Sequence, residues 1–211
     1  MEFVSPVSTV IPSAHGAVLV VLARAGRPLT GRAIAALTDG RVGPSRTNQV
    51  LAQLAQSGLV IKDEQPLGNL YSLNCDHVAA PAVLMLARLR EELMTRMSAA
   101  VAGWRVRPTA VWLFGSAARG EATSGSDLDV LVVRPDAVPE DDTVWLDQVD
   151  EFSRQVTLWS GNDAQVLELS RTEVHDWTDR GEPLMTDLRS DALTIAGQSP
   201  ASLLRRAKVL A

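Results

Sequence analysis

The chain has 211 residues, 46% of them hydrophobic and 21% charged, with a formal net charge of −5. That composition suits one large or two small globular domains and excludes a largely disordered chain. A single cysteine, Cys75, excludes an intrachain disulfide framework, no apolar run approaches 18 residues, and Met1-Glu2-Phe3 has no basic n-region. A cytoplasmic protein with no membrane association and no signal peptide is therefore expected.

Residues 14–25 predict an apolar helix stopped by Gly26 and Pro28. Thr30 caps a second helix over 31–37 that turns Ile34 and Leu37 inward. Asp39-Gly40 and Gly43-Pro44 break the chain. Ser45 then caps a third helix from Arg46 to about Ser57, in which Val50, Leu51 and Leu54 recur at helical spacing and Gly58 closes the end. Residues 59–61 predict a strand, 62–68 a turn and 69–73 the returning strand. Residues 1–75 carry six basic and four acidic side chains, so this part is mildly positive within an acidic protein.

Three helices followed by a hairpin, with Ser45-Arg46-Thr47, Val50, Leu54, Gly58-Leu59-Val60 and Tyr71-Ser72-Leu73 in register, resemble the winged helix-turn-helix family over residues 10–75. The resemblance implies that the third helix enters a DNA major groove. Ser45, Arg46, Thr47, Asn48 and Gln49 would then reach bases or phosphates of double-stranded DNA. The wing tip, residues 62–69, departs from a phosphate-gripping wing by setting Lys62 against Asp63 and Glu64. The alternative is a dimerisation or substrate-docking module.

Residues 81–103 predict one long helix with Pro81 in its first turn and a stripe of Leu84, Leu86, Leu89, Leu93 and Met97. The stripe is either a homodimer seam or packs on the chain's own domains. Strands follow over 109–113 and 126–133, then a loop over 135–141. A helix over 143–159 turns Trp145, Leu146, Val149, Phe152 and Val156 inward. Gly161-Asn162-Asp163 breaks it before a third strand over 164–169. Ser170 and Glu173 form a capping box for a helix from Arg171 through Trp177, ended by Gly181. A short helix over 182–191, an edge strand over 192–197 and a terminal helix bearing Arg205, Arg206 and Lys208 complete the chain. His15, His77 and His175 are too scattered to form a zinc set.

Between the first two of these later strands lies the run Leu113-Phe114-Gly115-Ser116, then Gly120, then Ser126-Asp127-Leu128-Asp129. Residues two apart on a strand share a face, so Asp127 and Asp129 can share a cation. Gly115 allows close backbone approach, and Ser116 can open a short helix toward an anion. Paired carboxylates beside an anion cradle suit metal-dependent phosphoryl or nucleotidyl transfer.

This run resembles the signature of the DNA polymerase β-like nucleotidyltransferase superfamily, especially its minimal members, over residues 105–197. The resemblance implies that Asp127 and Asp129 are catalytic and hold Mg2+, and that Gly115, Ser116 and Ser126 bind the NTP substrate. An NMP would pass to a small molecule such as an aminoglycoside, to a tRNA end, or to a side chain of a partner protein. Small members of the superfamily also act as antitoxins that modify a paired toxin. Full members carry a third acidic residue on the third strand, where this chain has Gln165, a poor general base. Asp163 and Glu168 are the alternatives for that role. Arg119 lies either beside the phosphates or on the surface.

The expected fold is α+β: a winged helix-turn-helix domain over 1–78, a linker helix over 79–104, and a nucleotidyltransferase domain over 105–211 with a mixed sheet and flanking helices. The expected function is NMP transfer. The alternative is a transcriptional regulator whose second domain senses nucleotide or is inactive.

Overall fold

The computed structural model describes residues 1–3, 5–66 and 68–205. The chain divides into two compact units, one of residue 2 with residues 4–90, the other of residues 1 and 3 with the chain from Glu91 onward.

The first unit contains a 3-10 turn (Pro6–Thr9), α1 (Ala14–Ala25), β1 (Leu29–Thr30), α2 (Gly31–Ala36), α3 (Pro44–Gln56), β2 (Val60–Asp63), β3 (Leu70–Leu73) and α4 (Ala80–Leu86). Its strands form an antiparallel sheet in the order β1-β3-β2. Val18 and Leu22 of α1, Ile34 of α2, and Val50, Leu51 and Leu54 of α3 share one buried core with Tyr71 and Val83. Thr30 caps α2 as expected, its hydroxyl accepting from the Ala33 N–H at 3.2 Å.

Three local expectations are corrected here. Helix α3 begins at Pro44 with Gly43 as its N-cap, rather than being capped by Ser45. Proline's fixed φ suits the first helical position, where no intrahelical N–H bond is lost. Leu37 falls just past the end of α2 and is 54% exposed rather than inward. Strand β2 continues to Asp63, two residues into the expected turn.

The single helix expected over 81–103 is two helices, α4 and α5 (Leu89–Ala102). Arg24 meets the chain at this break. Its Nε and Nη2 donate to the Ala87 carbonyl at 3.2 and 2.9 Å, the acceptor that a continuous helix would offer to residue 91. Val83 packs in the first core, whereas Leu93 and Met97 are buried in the second. These last two stripe residues are therefore occupied within the chain and present no dimer seam.

The second unit continues with β4 (Ala110–Phe114), α6 (Gly115–Arg119), β5 (Leu128–Arg134), α7 (Thr143–Ser160), β6 (Ala164–Ser170), α8 (Arg171–Arg180), α9 (Pro183–Asp191), β7 (Leu193–Gly197) and α10 (Pro200–Leu203). The sheet is mixed, in the order β6-β5-β4-β7, with β5 and β6 parallel and the other pairs antiparallel. Period-two alternation divides its side chains between two cores. Val111, Leu113, Leu128, Val130 and Val132 pack with Leu93, Met97, Trp145 and Phe152 of α5 and α7. Trp112, Leu131, Val133 and Leu169 pack with Val174, Met185 and Leu188 of α8 and α9.

The capping box of α8 forms as expected from Ser170 and Glu173. Leu146 is 40% exposed, contrary to expectation. Trp145, Val149, Phe152 and Val156 already fill the inward arc of α7, and Leu146 lies a further 100° around the helix. Among the described residues the last helix is the short α10, which ends before Arg205; Arg206 and Lys208, also placed on the expected terminal helix, lie outside the described residues. Among the described residues no helix is long and apolar enough to cross a membrane.

The burial contrast is measurable by urea denaturation. Leu131→Ala, fully buried in the central strand, should cost about 2–5 kcal/mol. Leu146→Ala should cost less than about 0.5 kcal/mol.

Candidate active site

Strand β4 delivers the chain to Gly115, which sits in the left-handed region at φ +67°. A side chain is costly there on conformational grounds alone. A Cβ would also lie 2.5 Å from Asp129 Oδ2, inside any tolerable contact. Glycine is thus required for the short helix α6 to start against the Asp129 carboxylate. Ser116, half-buried, follows in the first turn of α6, and its carbonyl accepts from the N–H groups of Glu121 at 2.8 Å and Ala122 at 3.2 Å.

Asp129 is the second residue of β5, between Phe114 on β4 and Gln165 on β6. Asp127 lies just before the strand and is exposed, whereas Asp129 is half-buried. Neither carboxylate has a hydrogen-bond or ion-pair partner among the described residues. Burial, and secondarily the charge of Asp127, push the Asp129 carboxyl above its ordinary pKa of 3.8. The two charges therefore repel each other with no protein cation between them.

Ser126 is turned into the loop that precedes the pair. Its hydroxyl accepts from the Thr123 N–H at 3.0 Å, and its own N–H donates to the Thr123 carbonyl at 3.1 Å. Arg119 pairs with Glu121 at 2.8 Å and Asp191 at 3.6 Å, which places it among surface carboxylates.

The β5–β6 register is continuous from Leu128↔Ala164 to Arg134↔Ser170. Paired residues of parallel strands share a face, so Gln165 is on the face of Asp129. Glu168 is on the opposite face, where it accepts from Arg134 Nε at 2.6 Å. Arg134 also bonds the Val138 carbonyl. No bulge brings Glu168 round, and it is removed as a candidate base. Asp163 is exposed at the mouth of β6, and its carbonyl accepts from the Leu128 N–H at 2.8 Å. Among the described residues no group of three or more His, Cys, Asp or Glu is arranged to hold a metal ion.

One residue of this site was read from the sequence only as part of a helix break. Asn162 is buried, and its side-chain amide donates to the carbonyls of Thr123 and Ser126 at 2.9 and 2.8 Å. The only sequence signal is an asparagine placed between a helix-ending glycine and a strand.

In the first unit, Ser45, Arg46, Asn48 and Gln49 are exposed on the first turns of α3, and Arg46 Nη1 donates to Gln49 Oε1 at 3.2 Å. Thr47 is a correction to that set. It is fully buried, with its hydroxyl donating to the Gly43 carbonyl at 3.1 Å. Its role is to close the first turn of the helix. On β2, Lys62 pairs with Glu64 at 2.6 Å, and Gln65 donates to Asp63 at 2.7 Å.

Residues 97–185 match the family model of the nucleotidyltransferase domain. No curated protein matches the chain. Among solved structures, a toxin–antitoxin with AMP-PNP is similar at 15% identity and a TM-score of 0.33, over 50% of this chain and 73% of that one. A mutant of the MntA–HpeT toxin–antitoxin is similar at 14% identity and a TM-score of 0.33, over the same shares. A protein from Sulfolobus solfataricus described as a nucleotidyltransferase is similar at 21% identity and a TM-score of 0.29, over 50% of this chain and 85% of that one.

The repulsion between the carboxylates has a stability consequence. Asp129→Asn should raise the melting temperature of metal-free protein at neutral pH, because it removes the half-buried charge. As pH falls through the raised folded-state pKa toward 3.8, Asp129 protonates and the advantage should fade. Thermal melts of both proteins across that range test this.

Proposed function

We propose that the second unit is a magnesium-dependent nucleotidyltransferase that moves an NMP from an NTP to an acceptor hydroxyl. The observation that carries this is the unpaired carboxylate pair, Asp127 and Asp129, set against a glycine whose missing side chain leaves room only for backbone. The match of residues 97–185 to the nucleotidyltransferase domain supports the same chemistry.

The donor set fits magnesium, which prefers carboxylate oxygen and completes its shell with water and substrate phosphates. Bound by Asp127 and Asp129, the ion would polarise the phosphate and orient the triphosphate for displacement. Gly115 and Ser116 would receive the triphosphate at the start of α6. In the transfer, the acceptor oxygen bonds to the α-phosphorus, the bond from that phosphorus to the bridging oxygen breaks, and pyrophosphate leaves. Gln165 cannot take the acceptor's proton and Glu168 is held by Arg134, so Asp163 at the mouth of β6 is assigned that role. The acceptor is a small molecule, a tRNA end or a side chain on a partner protein.

The first unit is proposed as a winged helix-turn-helix that reads double-stranded DNA with Ser45, Arg46, Asn48 and Gln49 of α3. The proposed domain plan is a DNA-binding module over 1–78, a connector over 79–104 and the transferase over 105–211, in a cytoplasmic protein. A second reading is favoured by Gln165 in particular: a DNA-binding regulator whose transferase domain binds nucleotide without turnover.

Protein incubated with Mg2+ and each α-labelled NTP, in host extract and in buffer alone, separates the two readings. Label should pass to an acceptor, and Asp127→Ala should reduce transfer by at least about a hundredfold. Retained NTP binding with no transfer would select the regulator.

For the first unit, Arg46→Ala with Asn48→Ala should weaken DNA binding by about tenfold or more. Fluorescence anisotropy across a salt series checks it. An unchanged, salt-dependent affinity would remove α3 from the interface.

A further inference from the structure

Asn162 is a fully enclosed polar side chain beside the candidate site that the transferase reading leaves without a task. It is 2% exposed. Both hydrogens of its Nδ2 are engaged, on the Thr123 carbonyl at 2.9 Å and the Ser126 carbonyl at 2.8 Å. Those carbonyls bracket the turn that immediately precedes Asp127. Its Oδ1 accepts from the Met1 nitrogen.

Asn162 is itself firmly held. The Ser160 hydroxyl accepts from the Asn162 N–H at 3.1 Å and reaches the Asn162 carbonyl at 3.2 Å and the Val156 carbonyl at 2.7 Å. The next residue, Asp163, receives the Leu128 N–H at 2.8 Å, and Leu128 lies between the two carboxylates. The last turn of α7 thus reaches the metal-binding edge of β5 through one amide.

Thr123, Ser124 and Gly125 are exposed and polar or small, with no apolar anchor. The Ser126–Thr123 bonds close the turn on itself without tying it to the body of the unit. Upstream, Ala122 is buried, and its carbonyl takes the Phe3 N–H at 2.7 Å, so the span that Asn162 brackets begins at Thr123. Repulsion between the carboxylates acts to swing Asp127 outward.

We propose that Asn162 is a positioning residue: by holding the Thr123–Ser126 turn it fixes Asp127 beside Asp129, and so sets the affinity of the pair for a divalent cation. This rests on the reading of the pair as a cation site. The geometry needs two donors on one short planar group. Aspartate keeps the shape but has no donor, and serine offers one.

The test is Mn2+ titration by electron paramagnetic resonance on the full chain, without nucleotide, with near-UV circular dichroism as the check on folding. Wild type should bind Mn2+, and Asp127→Ala should lose it. Folded Asn162→Asp should bind at least about tenfold more weakly, the loss typical when a ligand's supporting partner is removed. The added negative charge would by itself strengthen cation binding, so a weakening reports geometry. Asn162→Ser should fall between the two.

Unchanged affinity in folded Asn162→Asp overturns the positioning role and leaves the cation site standing. No Mn2+ binding by wild type, or equal binding by Asp127→Ala, overturns the cation site and the role of Asn162 with it. Loss of the near-UV signal in both Asn162 variants makes the residue a support of the whole unit and likewise overturns the proposal.

Discussion

Strand β5 is buried on both faces, and that constraint decides where charge can stand in the second unit. From Val130 through Val133 every side chain is enclosed, alternately by the α5/α7 side and the α8/α9 side. A carboxylate within that stretch would face the full cost of desolvation. Only at the first residues of the strand does the sheet open enough for Asp127 and Asp129, and even there Asp129 is half-buried. The neighbouring strand must end at the same level without covering them. Gly115 accomplishes that by turning the chain with no side chain to intrude on Asp129.

The arrangement gives the site an uneven charge balance. Two carboxylates face outward from one side of the sheet, while the third position on that face carries the neutral amide of Gln165. The acidic side chain farther along β6, Glu168, is drawn to the other face by Arg134. A third carboxylate at Gln165 would deepen the repulsion already felt by Asp129. The amide relieves it, and with it goes a group able to accept a proton. In the first unit the balance is also local: Lys62 on β2 is paired with Glu64, while Arg46 is exposed on α3.

The parts of this structure that were legible in the sequence are those written in short spacings. The apolar runs of β4 and β5, the Gly115-Ser116 and Asp127/Asp129 pieces, and the Ser170/Glu173 capping box are each written within a few residues. What escaped depends on partners far along the chain. Asn162 meets Thr123 and Ser126 across 39 and 36 residues. Arg24 meets Ala87, at the break between α4 and α5, from 63 residues away. Leu37, Leu146 and Thr47 show the limit of periodicity itself. Helical spacing marks an apolar arc, but what fills the arc decides which apolar residue is left outside and which polar one is drawn in.

The thread of chain at Phe3 has a consequence for how the protein is made. Phe3 is buried with Leu93, Met97 and Trp145 in the core of the second unit, yet residues 4–90 belong to the first. The first unit is therefore an insertion within the chain of the second. During synthesis residues 4–90 emerge early and can fold as a unit, since domains generally do so in order. The aromatic ring of Phe3 must wait until its partners, ending with Val156 and Ile195, have left the ribosome. Such long-range closure is slow relative to local folding. Until the second module closes, Phe3 therefore lacks every one of these core partners, while residues 4–90 already have theirs.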